Sequence, residues 1–193
     1  MKKKFHVAGL AALLAAPMAF AADMPAGSIA GYLTNLDVGG ADGTGIGIRG
    51  WATVADPWFV HGEFQTVTVE AGPFEADLTE IRLGGGFTGK LNPTAMWLAK
   101  AEYIDLGGDF DQSGFGLHGG VMLQATPQFG FGATLGYLTT DDTDGLELNF
   151  GGKFAFTKEW AGVLDYRTYM GEADGGGDFD VDEIRLGAAY MFY

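Results

Sequence analysis

The 193-residue chain carries 11 Lys and Arg against 25 Asp and Glu, a formal charge of −14, and has no cysteine. That acidic balance excludes nucleic acid as a partner, and the missing thiols exclude a disulfide framework and thiolate metal sites. Glycine is abundant at 33 residues, yet it follows no three-residue period, and an aromatic share of 13% is too high for a disordered chain.

The chain opens MKKKFHVAGLAALLAAPMAFAAD: three lysines, an apolar stretch, then Ala19-Phe20-Ala21 in the small-x-small spacing of a signal-peptidase site. This reads as a secretory signal over residues 1–21, followed by one domain over 22–193. The apolar stretch is short for a membrane-spanning helix, which needs about 20 residues. Losing Lys2, Lys3 and Lys4 leaves eight cations against 25 acids, a formal charge of −17.

From there apolar and polar residues alternate almost without interruption, the period of a strand. In TEIRLGGGF, Ile81, Leu83, Gly85 and Phe87 share one face and Glu80, Arg82, Gly84 and Gly86 the other. Ten strands are predicted, at residues 28–37, 44–54, 58–69, 78–90, 95–105, 112–125, 128–139, 146–156, 160–169 and 181–193. Eight is the alternative count, if the first or ninth hairpin partner is misread. Two kinds of connection alternate between them. Tight turns are expected at Ala55-Asp56-Pro57, Leu91-Asn92-Pro93-Thr94, Thr126-Pro127 and Thr157-Lys158-Glu159, where proline presets a turn and cannot continue a ladder. Longer acidic loops are expected at NLDVGGADG, EAGPFEAD, DLGGDFDQ, TTDDTDG and MGEADGGGDFDVD. Both termini then lie at the tight-turn end. An all-β, antiparallel up-and-down transmembrane barrel has this layout, with short periplasmic turns and longer outer loops.

One face of each strand is free of charge. It carries Ile46, Ile48 and Val54, Val60 and Phe64, Ile81, Leu83 and Phe87, Trp97 and Tyr103, Phe115 and Leu117, Phe131 and Tyr137, Leu148 and Phe150, Leu164 and Tyr166, and Ile184 and Leu186. The first strand, SIAGYLTNLD, leaves its face undecided. Arg49, Arg82, Lys100, Lys153, Arg167 and Arg185 all take the opposite parity, while Lys90 and Lys158 fall at tight turns. A soluble lipocalin-like barrel also alternates, with its apolar face inward. The polar face here is crowded with glycine, as at Gly84, Gly86, Gly114, Gly116, Gly130 and Gly132, which suits a narrow lumen better than a solvated exterior.

The last strand ends GAAYMFY, placing Ile184, Leu186, Tyr190 and Phe192 toward lipid. In this the chain resembles the small outer-membrane β-barrel family of Gram-negative bacteria, the opacity-type and porin-like proteins, across its mature length. The resemblance implies an outer-membrane location among lipid and lipopolysaccharide. It also implies an aromatic C-terminal signal read by the barrel-assembly machinery, although the apolar parity here ends at Phe192, one residue before Tyr193.

The lumen-lining candidates are Arg49, His61, Glu63, Arg82, Lys100, Glu102, His118, Lys153, Asp165, Arg167 and Arg185, with Glu80, Glu147 and Glu183 on the same parity. Two functions follow: a narrow charged lumen for small solutes, or a filled structural barrel. A surface-interaction role through the acidic loops is the alternative. No enzyme is expected, because His61 and His118 lack the rim position and the partner that catalysis needs. No organic cofactor is indicated. Loosely bound calcium or magnesium at the acidic loops is the one ion expectation, and the barrel is expected to be a monomer.

Overall fold

The computed structural model describes residues 25–173 and 175–193, so the expected signal segment lies outside the described residues. Ten strands follow one another: β1 (Gly27–Val38), β2 (Ala41–Ala55), β3 (Trp58–Ala71), β4 (Phe74–Asn92), β5 (Ala95–Gly108), β6 (Gln112–Gln124), β7 (Phe129–Thr140), β8 (Thr143–Ala155), β9 (Trp160–Ala173) and β10 (Asp178–Phe192). Each pairs antiparallel with its neighbours, and β1 pairs with β10 from Gly27–Phe192 to Val38–Val181, which closes the barrel. The count is therefore ten, not eight.

The stagger follows from the register. Hydrogen-bonded partners lead from Met191 through Ser28, Trp51, His61, Gly84, Glu102, Gly116, Leu138, Gly145 and Gly171 to Phe179, twelve residues from the start on the same strand. Ten strands with that stagger tilt by about 40° and leave a backbone radius on the order of 10 Å. Long side chains from opposite walls meet in such a space.

The expected long acidic loops are not loops. The strands run on into these segments, and the connections shrink to residues 39–40, 72–73, 109–111, 141–142 and 174–177. Gly39 and Gly40, at φ of 59° and 94°, make the first of these a two-residue hairpin turn, which needs positive φ at both central positions. Asp37, Asp42, Asp77 and Asp182, part of the loop composition in the sequence, stand on solvated strand faces.

Parity explains why. In the middle of the barrel the exposed face is apolar: Leu33 is 65% exposed, Leu117 68% and Leu186 61%. Toward the acidic end the pattern inverts within the same strands. Leu36, Val67 and Val69 are buried inside and pack with Val38, Ala41, Leu78 and Val181. The residues beside them, Asp37, Asp42, Glu70, Asp77 and Asp182, take the outward parity. The strands leave hydrocarbon there, so charge moves outside and the apolar residues turn inward as a plug. The first strand spans both regimes. Ile29 and Leu33 face out and Tyr32 and Leu36 face in, which is why its sequence gave no single apolar face.

At the other end an aromatic girdle runs edge to face, with ring centroids 5.4 Å apart for Trp58 and Phe87, 5.4 Å for Phe87 and Trp97, and 5.2 Å for Trp160 and Tyr190. Arg185 faces in and Phe192 out, while Tyr193 lies beyond the strand with its hydroxyl donating to the Lys158 carbonyl at 3.0 Å. This geometry places lipid between the girdle and the acidic rim. Leu135→Arg, on the apolar band, is expected to cost about 2 to 4 kcal/mol, while Asp37→Arg, on the same outward face but beyond the band, costs less than about 0.5 kcal/mol. Equilibrium unfolding in urea from lipid vesicles measures both.

Candidate functional site

The sheet alternation brings the charged residues of seven strands to one level of the lumen, where they form a belt. Arg82 of β4 stands at its centre. Its Nε donates to Glu80 Oε1 at 2.5 Å, its Nη1 to Glu102 Oε1 at 3.0 Å and its Nη2 to Glu147 Oε2 at 2.8 Å. Arg167 of β9 grips Glu80 with two parallel bonds of 3.0 and 2.7 Å, and its Nε lies 2.6 Å from Glu183 Oε2. Arg185 of β10 donates to Glu63 Oε1 at 2.6 Å and to Asn149 Oδ1 at 3.1 Å. Lys100 Nζ donates to Glu102 Oε2 at 2.5 Å, and Arg49 pairs with Asp165 across the lumen. Arg167 with Glu80, and Arg82 with Glu147, thus meet in the two-bond planar geometry that arginine favours.

Hydroxyl, amide and imidazole side chains complete the belt. Tyr32 donates to Glu63 at 2.9 Å, Thr34 to Glu183 at 2.6 Å and Gln65 to Glu80 at 2.5 Å. The Tyr32 ring also lies between two guanidinium carbons, 5.7 Å from that of Arg49 and 5.6 Å from that of Arg185. His118 Nε2 is 3.1 Å from Glu147 Oε1, and His61 Nε2 is 3.3 Å from Glu102 Oε2.

The glycines make room for these side chains. A Cβ at Gly136 would lie 2.0 Å from His118 Cδ2, and one at Gly47 would lie 2.3 Å from the Tyr32 ring. Large residues on one strand rest over glycine on the next, and the small face predicted for a narrow lumen is the complement of the belt.

All eleven residues singled out in the sequence take the lumen-facing parity. The structure joins ten of them in the belt and leaves Lys153 apart, nearer the end that carries the termini. Sequence reasoning missed Tyr32 and Thr34, because the first strand had no assigned face. The switch from outward Leu33 to inward Leu36 was the available signal.

Exposure distinguishes the two sides of the belt. Side chains facing the terminal end keep some contact with solvent, 26% for Arg49 and 19% for Lys100, whereas Glu102 and Glu183 have none. Above them lies the apolar plug of Leu36, Val67 and Val69, with Ile104 and Leu138 also buried. Between the belt and the end that carries the termini the lumen forms a vestibule. A cavity of about 800 Å³ has Phe59, Gly86, Lys100 and His118 on its lumen side, and part of its space lies outside the wall against Val60, Phe87 and Leu117.

Glu102, His118 and Glu147 bring three potential metal-ligating atoms within 4.8 Å of one another. The Arg82 guanidinium already bonds both carboxylates, so the position of a cation is taken by an arginine.

The family described as outer membrane protein β-barrel domain matches residues 7–192. No curated protein matches the chain. Among solved structures, an outer membrane channel from Pseudomonas putida superimposes with a TM-score of 0.52 at 9% identity, over 96% of this chain and all of that one. The KdgM porin in complex with disordered oligogalacturonate gives 0.48 at 10% identity, over 85% of this chain and 99% of that one. The anion-selective porin from Comamonas acidovorans gives 0.41 at 12% identity over 80% of this chain, which spans 56% of that porin's length. Likeness at these identities is a likeness of fold.

Removing the central guanidinium leaves Glu80, Glu102 and Glu147 short of their shared partner. Arg82→Met is expected to destabilise the folded barrel by about 3 to 5 kcal/mol, and Arg82→Lys to recover only part of that. Gly136→Ala is expected to cost about 1 to 3 kcal/mol in the native protein and clearly less in a His118→Ala background. Urea titration of these variants, with His118→Ala alone and combined with Gly136→Ala, gives both comparisons.

Proposed function

The chain belongs to the outer membrane β-barrel protein family, and we propose that it serves as a filled barrel whose lumen is sealed to free diffusion. It is an integral outer-membrane β-barrel of porin-like fold. The observation that carries the sealed reading is the burial of the belt: the side chains of Glu102, Glu147, Glu183 and Arg185 are at most 2% exposed, whereas the lining of an open aqueous pore stays wet. The surface-interaction alternative acted through the acidic outer loops, and most of those segments are strands joined by short turns. A role without catalysis rests on the family alone; His61 and His118, expected to lack partners, each face a carboxylate, Glu102 and Glu147.

Residues 1–21 act in this reading as an export signal, and the end that carries the termini faces the periplasm. The partners are membrane lipid, lipopolysaccharide at the acidic rim and the barrel-assembly machinery, and the barrel acts as a monomer. Divalent cations gather loosely at the rim, where Asp182, Asp37, Asp42, Glu70 and Glu75 stand in register on five consecutive strands.

Folded protein, identified by its heat-dependent gel mobility, is expected to give no discrete conductance steps in a planar bilayer. Reproducible steps from the native sequence would overturn the sealed reading. Mass spectrometry of protein recovered from outer membranes is expected to place the mature N-terminus at Ala22.

A further inference from the structure

Six bases face the lumen, and five of them, Arg49, Arg82, Lys100, Arg167 and Arg185, are ion-paired with lumen carboxylates. Lys153 is the exception: among the described residues it has neither an ion pair nor a hydrogen bond. It stands on β8 between Gly130 of β7 and Val163 of β9, four residues past Asn149 toward the terminal end. A Cβ at Gly130 would lie 3.0 Å from Lys153 Cε, so the lysine stem lies over that glycine on the lumen side of the wall. Lys153 is half-buried, and a half-buried charge with no counter-charge is costly to hold.

We propose that Lys153 anchors a binding site for a small organic carboxylate with an apolar body, which enters the vestibule from the end carrying the termini. A carboxylate supplies the charge-assisted bond that the amine lacks. The other lumen-facing residues at this level are largely apolar, with Trp51 on β2, Phe59 on β3, Leu98 on β5 and Met122 on β6, and they favour burial of an uncharged body. Arg49 and Lys100, the most exposed charges of the belt, form the floor. The two acids beside them are engaged, Asp165 by Arg49 and Glu63 by Arg185 and Tyr32. In a chain with a large excess of acid, this vestibule is a place where cations face the solvent. The inference rests on the sealed reading, which makes the vestibule a blind pocket and not a passage.

The test uses mature protein folded into amphipol, free of lipid, with cyclohexanecarboxylate as the probe and cyclohexylmethanol as its uncharged counterpart. Calorimetry is expected to give saturable one-to-one binding of the carboxylate. Binding should be about tenfold weaker for the alcohol and about tenfold weaker for Lys153→Met, and it should be kept by Lys153→Arg, which retains the charge. The emission lost in a Trp51→Phe variant reports Trp51, and it should shift on adding carboxylate to the native protein and not to Lys153→Met. Equal binding of the alcohol, unchanged binding by Lys153→Met in folded protein, or no saturable binding overturns the site. Bilayer conductance of the same preparation tests the seal separately. Channel steps with intact binding overturn the seal alone, and silence without binding overturns the site alone.

Discussion

Hydrocarbon offers no hydrogen bonds, so every backbone group that crosses it needs a partner within the protein, and a sheet in that setting must close on itself. The pairing of β1 with β10 meets that requirement, and much else follows from it. Closure between antiparallel strands needs an even number and brings both termini to one end. It makes the C-terminal strand a full member of the wall, so Ile184, Leu186, Tyr190 and Phe192 face lipid as residues of any other strand do. Ten strands and a stagger of twelve fix a narrow interior. In that space Arg82 of β4 reaches Glu147 of β8, and Arg49 of β2 reaches Asp165 of β9. The belt is thus set by the diameter as well as by the charges.

A narrow barrel cannot fill its interior with large side chains on every strand. The register resolves this by opposing large and small residues, His118 over Gly136 and Tyr32 over Gly47. Glycine in a strand normally weakens it, and here the loss is offset by the bulky partner it admits. The ion pairs are not a simple source of stability, because desolvation cancels much of their attraction. Their contribution is specificity. Slipping one strand by a single residue would turn the belt toward lipid and the apolar face into the lumen, which makes any other register strongly unfavourable.

The strand count, the lipid face of nine strands and the parity of the lumen bases were legible in the sequence, because each depends on period-two alternation between neighbouring residues. The face of β1 and the extent of the strands were not. Both failures have one physical origin: apolar residues face outward only where lipid surrounds the wall. Leu33 and Leu36, three residues apart, are both correctly placed and lie on opposite faces. A reading that assigns one apolar face per strand finds such a segment contradictory, and it treats the acidic stretch beyond as loop. Partners within the belt were also beyond reach, since Arg82 finds Glu147 across 65 positions of sequence. Parity places a residue in the lumen, but the stagger decides whom it meets.

The inversion also bears on how the proposed sealed barrel would block passage. A belt of paired charges excludes apolar solutes, yet its polar groups offer hydrogen bonds to water and small ions. A plug of Leu36, Val67 and Val69 does the reverse, since an ion entering it loses hydration without compensation. Stacked along one axis, the two layers reject complementary classes of solute. Neither needs a loop folded into the lumen, and the turns at the acidic end are too short to supply one. In the proposed sealed barrel the seal is built into the wall by alternation alone, from the same strands that turn charge inward where lipid surrounds them and apolar residues inward where water does.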